Sequence, residues 1–205
     1  DCVLTTRELA RMKKQANIEF EQLEEKEFDS PMGEATGAAA IFGVTGGVME
    51  AALRSVSEIL TGEELEKIEF KEIRGEQGIK RASLKLGERD IKVVVAHGLG
   101  NAQTIMEEIK SGKADYQFVE IMACPGGCIM GGGQPIKNSK IRGTIDVRRK
   151  RAEAMYSIDE KSKIRKSHEN PILKQIYSEY IGVPGGHKAH ELLHTTYSRK
   201  EKYNI

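Results

Sequence analysis

Cys124 and Cys128 carry the strongest chemical signal in the chain. They flank Pro125-Gly126-Gly127 and are followed by Gly131-Gly132-Gly133-Gln134-Pro135. Thiolates held a few residues apart select iron-sulfur clusters, zinc or copper, and the glycines allow unusual backbone angles that leave N–H groups free to face cluster sulfur. Inert buried cysteines have no use for two glycine-rich loops. Two ligands do not close a cluster or a structural zinc site, which takes four. The others must come from another segment, another chain or His97. Cys2 lies far upstream and is not recruited. His97 ends the strand neighbouring the cysteine strand, but a strand-end histidine satisfied by backbone is the simpler account.

Three weaker patterns read as ordinary structure. His190-Glu191-Leu192-Leu193-His194 has zinc-protease spacing on a helical segment, but Glu201 is the only acidic residue after it and stands at the terminus, so a solvated helix face accounts for it. Gly98-Leu99-Gly100 lacks the third small residue of a dinucleotide fingerprint, Gln103 standing there, and reads as a tight strand-to-helix turn. Arg148-Arg149-Lys150-Arg151 has no interleaved aromatics and reads as a solvated helix face.

The elements that must position the cysteines are legible from periodicity. Ala82, Leu84 and Leu86 alternate with polar residues, as do Ile68 and Phe70 before them, and Gly87-Glu88-Arg89-Asp90 separates them from Ile91–Ala96, giving antiparallel neighbours. A helix follows Gly98 and ends at Gly112, and Phe118–Met122 forms a second apolar strand. Such a strand-helix-strand unit leaves ligand loops at the carboxyl ends of its strands, where the cysteine loop begins. Upstream, Val3-Leu4 reads as a strand end, Thr5 and Glu8 as a capping box for a helix over 6–16, residues 19–34 as a surface excursion, and 46–62 as the clearest helix. Downstream, helices are expected over 147–158, from Asn170-Pro171 to Gly182, and over 188–197. The fold class is α/β, a mixed or parallel sheet lobe with flanking helices and a helical C-terminal layer over the same core.

Composition narrows the partners. Lys plus Arg number 32 and Asp plus Glu 31 in 205 residues, a net charge of +1, so no global field points to nucleic acid or an anionic membrane. No apolar stretch approaches the roughly 20 residues of a spanning helix. Three cysteines make no disulfide framework, and a close thiolate pair suits a reducing compartment, so cytoplasmic placement is expected. The chain opens on Asp1 without a signal-peptide pattern and reads as beginning inside a longer one.

The stretch from Glu120 to Pro135 closely resembles the third cysteine signature of the iron-only (FeFe) hydrogenases. Gly37 to Arg54, containing Ile41-Phe42-Gly43-Val44-Thr45-Gly46-Gly47-Val48-Met49-Glu50, is similar to the segment beside that family's active site. Lys166-Ser167-His168-Glu169-Asn170 and the terminal His190–His194 stretch are similar to its C-terminal end. The resemblance implies an H-cluster: a 4Fe-4S cubane linked through a cysteine to a two-iron subsite carrying carbonyl, cyanide and a dithiolate. Carried over residue by residue, Cys124 would be a cubane ligand, Cys128 the ligand that also bridges to the subsite, and Met122 and Phe42 the apolar wall around it. The cysteine signatures that complete the cluster are absent and would precede Asp1. Residues 1–205 then correspond to the C-terminal lobe of the catalytic domain. Implied partners are the N-terminal remainder of that domain, maturation proteins, and ferredoxin or NAD(P)-reducing subunits. The runner-up is the related cytosolic iron-sulfur assembly proteins, which lack the two-iron chemistry. Thr45-Gly46-Gly47-Val48-Met49-Glu50-Ala51-Ala52 matches the hydrogenases better. A nucleotide-dependent oxidoreductase using Gly98 and Gly100 is the weaker third reading.

Overall fold

A computed structural model of the protein describes residues 2–26, 33, 35–63, 74 and 78–199. Three strands, β1 (Ile79–Leu86), β2 (Arg89–His97) and β3 (Phe118–Met122), form a sheet in the order β1-β2-β3. β1 and β2 are antiparallel around the turn at Gly87, with Ala82 opposite Val93 and Leu84 opposite Ile91. β2 and β3 are parallel, with Val95 opposite Glu120 and His97 opposite Met122, joined by helix α4 (Leu99–Lys110). The expected mixed sheet is present. Ile68 and Phe70 lie outside the described residues.

Both faces of β2 are buried, which is why it reads as a continuous apolar run rather than an alternating one. On one face Val93 and Val95 pack with Leu84, Leu86, Met49 and Leu53, the last two from α3 (Gly47–Thr61). On the other, Val94 and Ala96 pack with Ile105 of α4. α3 ends on Gly62 at φ +70°, the left-handed stop its sequence announces. The short helix α2 (Gly37–Ile41) precedes it and lies against α6 (Val147–Lys161). Gly37 donates its N–H to the Ile164 carbonyl at 2.8 Å.

The sequence readings require several adjustments. Thr5 caps α1 (Thr6–Gln15) with its hydroxyl and Glu8 reciprocates, as expected, but Val3 and Leu4 are not in a strand. Within the excursion, Phe20–Gln22 forms a single 3-10 turn. Its continuation Gly37–Ile41 is a buried helix rather than a surface approach, because small residues let α6 come close. Asn138 opens an additional helix, α5 (Ser139–Thr144). The helix at Asn170 runs as α7 (Pro171–Ile176) and then widens to π geometry over Tyr177–Ile181 before Gly182. The last helix, α8 (His187–Leu193), stops four residues short of Tyr197.

An ionic cluster ties the helical layer to the sheet layer. Arg54 of α3 is fully buried and donates from both terminal nitrogens to Asp159 of α6 at 2.8 Å, and also to Glu50 at 2.8 Å. Arg74 reaches Glu50 and Arg165 reaches Asp159 from the periphery. Burial opposes ionisation of Asp159, but the hydrogen bonds from Arg54 and Arg165 outweigh it and hold its carboxyl below the ordinary aspartate range.

Candidate metal centre

β3 ends at Met122, and the chain then turns through Cys124 to Gly127 into a 3-10 turn at Cys128–Met130. The carboxyl end of β2 lies beside it, and the Gly98 N–H donates to the Met122 carbonyl at 2.8 Å. The cysteines therefore stand in the crevice beyond the strand ends.

A second loop, Phe42–Gly46, is locked to the first. The Ile129 N–H donates to the Gly43 carbonyl at 3.1 Å, the Thr45 N–H donates to the Gly126 carbonyl at 3.2 Å, and Gly127 packs between them. A Cβ on Gly127 would stand 2.6 Å from the Gly43 oxygen and 2.8 Å from the Thr45 nitrogen, and its φ of +94° also excludes other residues. The glycines here serve backbone-to-backbone approach as well as turning.

Cys128 is exposed and Cys124 half-buried. A Cβ on Gly131 would lie 3.1 Å from the Cys128 carbonyl oxygen and 3.9 Å from Cys124 Sγ, so Gly131 leaves the space beside that thiol open. Phe42 is 45% exposed at the start of the loop bonded to Gly126 and Ile129, and Met122 is half-buried at the end of β3, two residues before Cys124. Soft sulfur donors and the open space beside Cys124 fit an iron-sulfur cluster.

Glu120, Arg151 and Arg7 escaped the sequence reading. Glu120 is buried on β3, and its two carboxylate oxygens accept from the Gly46 N–H at 2.6 Å and the Met49 N–H at 2.7 Å. Desolvation raises its pKa, and the two backbone hydrogen bonds oppose that rise. Arg151 is not part of a purely solvated basic face: it donates to the Ile129 carbonyl at 2.8 Å and to the Pro135 carbonyl at 2.7 Å, spanning the cysteine loop. The backbone N–H of His97 pairs with the Gly78 carbonyl, yet its buried ring Nε2 has no hydrogen-bond partner among the described residues, contrary to the expectation of a satisfied histidine. At the other end of the loop, Arg7 of α1 donates from its side chain to the Gly132 carbonyl and from its backbone N–H to the Gly133 carbonyl.

The other patterns fall away from this crevice. His190 and His194 lie at the end of α8 with their Nδ1 atoms 3.2 Å apart, and His194 is already non-helical, with ψ 138°. Gly98 takes φ +83° to enter α4, while Gln103 is exposed and bonded to Glu107 on the same helix. Glu58, His168 and Glu169 converge, and the ammonium of Lys166 sits among them, 2.6 Å from Glu58 and 3.1 Å from Glu169.

Fold and loop together define an α/β lobe that presents two cysteines from a glycine-rich strand-end loop. Residues 1–132 match the family described as iron only hydrogenase large subunit, C-terminal domain, and residues 145–200 match iron hydrogenase small subunit. The chain belongs to the iron-only hydrogenase large-subunit family. It is 46% identical over 202 residues to the NADP-reducing hydrogenase subunit HndD of Solidesulfovibrio fructosivorans, covering 98% of this chain and 34% of that protein. A solved variant of FeFe-hydrogenase HydA1 from Chlamydomonas reinhardtii superposes with TM-score 0.72 at 41% identity, over 96% of this chain and 55% of that one. At lower identity, 34% over 202 residues, the chain is similar to Protein NAR1 of Arabidopsis thaliana, covering 96% of this chain and 42% of that protein. The chain thus spans about a third to two fifths of the length of these curated relatives. Among the described residues, no helix is long and apolar enough to cross a membrane.

Proposed function

We propose that residues 1–205 form the C-terminal lobe of the catalytic domain of an FeFe hydrogenase, a cytoplasmic enzyme that interconverts protons and dihydrogen. The observation that carries this reading is the pairing of the cysteine loop with the Phe42–Gly46 loop through Gly43, Thr45, Gly126 and Ile129. That pairing brings the two most family-like segments into one crevice. When bound, a 4Fe-4S cubane linked to a two-iron subsite would supply a relay for electrons from an external donor and iron chemistry for interconverting protons and dihydrogen.

The chain's own residues hold and enclose that group. Cys124 serves as a cubane ligand and Cys128 as the ligand shared with the two-iron subsite, and the remaining thiolates come from outside this chain. Phe42 and Met122 present apolar surface that keeps bulk water from the metal. Arg151 and Arg7 hold the loop by its carbonyls, so the thiolates are placed before the metal arrives. Electrons come from ferredoxin or an NAD(P)-linked subunit, and the name of the HndD relative supports the second arrangement.

The two thiolates should fail differently in the full-length protein expressed with its maturation proteins. Cys124→Ser replaces one cubane ligand by a harder oxygen donor, so cubane occupancy falls while some hydrogen evolution survives. Cys128→Ser removes the link between the metal units, and hydrogen evolution with reduced viologen collapses. Near-parental activity in Cys128→Ser with complete loss in Cys124→Ser reverses these roles.

The similarity to NAR1 supports a second reading as a non-enzymatic iron-sulfur assembly factor. Such a protein would hold cubanes yet produce no hydrogen under the same maturation.

A further inference from the structure

The side chain of Glu120 reaches from β3 to the start of α3. Its carboxylate is buried and lies on the face of β3 that meets α3, the same face as Met122, since side chains alternate along a strand. Residue 46, where α3 begins, is a glycine and brings no side chain to cap the helix. Glu120 supplies that cap from 74 residues away in sequence, accepting from Gly46 at 2.6 Å and from Met49 at 2.7 Å. Gly46 closes the Phe42–Gly46 loop, whose Gly43 and Thr45 are bonded to the cysteine loop. One side chain thus fixes the distance between the strand leading into the cysteines and the turn carrying Phe42.

We propose that Glu120 is the positioning residue of the cluster site, setting the Phe42–Gly46 loop against the cysteine loop and placing a fixed negative charge on the strand that leads into Cys124. Both carboxylate oxygens receive N–H donors, the pattern an ionised carboxylate satisfies, and the α3 N-terminus favours that charge. Glu120 stands four positions before Cys124, so their Cα atoms are at most about 14 Å apart. In a buried setting a charge at that range is felt by a redox centre. It disfavours the added electron and holds the cubane's potential down.

The inference rests on Cys124 and Cys128 being cluster ligands, and the test separates the two claims. The full-length protein is prepared with the cubane alone and, separately, fully matured, as wild type, Glu120→Gln and Glu120→Asp. Glu120→Gln keeps the shape, removes the charge and turns one acceptor into a donor facing an N–H. Glu120→Asp keeps the charge but is one methylene too short to reach both donors. In Glu120→Gln the cubane still assembles by electron paramagnetic resonance, its midpoint potential rises, the infrared bands of metal-bound carbonyl broaden or split, and hydrogen evolution falls about tenfold or more. In Glu120→Asp the potential stays near wild type while the bands still broaden. Wild-type potential and band shape in Glu120→Gln, even with lowered thermal stability, would overturn the proposal and leave Glu120 a helix cap only. If Glu120→Gln does not fold, Glu120→Asp decides: broadened bands uphold the positioning role and sharp wild-type bands overturn it. A wild-type protein that binds no cubane would overturn the cluster reading itself, and this inference with it.

Discussion

Single residues reveal what spacing can and cannot announce. The cysteine loop stood out because a close pair of cysteines is a rare pattern and because positive φ at Gly126 and Gly127 demands glycine at short range. Glu120 and Arg151 were not, since each acts on backbone groups remote in sequence, and nothing in a local window says which carbonyl an arginine will reach. Arg151 carries a prediction of its own. Arg151→Met leaves the Ile129 and Pro135 carbonyls without their charged donor, at about 1.5–3 kcal/mol for a bond of that kind. The cysteine loop should loosen, and the bound cubane of the full-length protein should be stripped faster by an iron chelator. Arg151→Lys should not restore the wild-type rate, because a single ammonium does not reproduce the two-nitrogen fork.

Among the elements, sequence reading succeeded where periodicity ran long. α3 carries apolar residues at helical spacing for four turns, and β2 is bounded by glycine on both sides. α2 has four small residues and Ile41, too short for a period, and its helical state is set by the α6 surface it packs on, which no local window shows. The Arg54 cluster was invisible for a related reason: Glu50 and Arg54 are one turn apart, but Asp159 arrives from α6. Arg54→Met removes the shared cation from two buried carboxylates, which keep only their peripheral arginines, and should destabilise the protein by about 3–5 kcal/mol in denaturant unfolding.

The same cluster sets an acid limit. Because the folded-state pKa of Asp159 is depressed, the stability it contributes is present above its unfolded value of about 3.9 and is lost as pH falls through the lower folded value. Unfolding free energy measured between about pH 6 and pH 2 should therefore fall with acid, and Asp159→Asn should start lower and show a shallower acid slope. Equal slopes in the two proteins would mean that other carboxylates set the acid limit.

For the whole molecule, the antiparallel pairing of β1 with β2, the parallel crossover and the position of the cysteine loop at the strand ends followed from alternation and crossover rules, whereas Val3-Leu4 is not a strand end, α2 and α5 were not foreseen and several helix boundaries shifted. On the proposed reading, the ligands beyond Cys124 and Cys128 were not legible, because a cluster shared between segments would show in each of them only a fraction of its ligands. The 205-residue chain expressed alone should accordingly evolve no hydrogen from reduced viologen, two thiolates being too few to retain a cubane. The most direct test of the account is the infrared spectrum of the full-length protein after co-expression with the maturation proteins, recorded anaerobically. The account predicts sharp bands from metal-bound carbonyl and cyanide that vanish in Cys128→Ser. A protein that holds a paramagnetic cubane yet shows no such bands would contradict it and favour the assembly-factor reading.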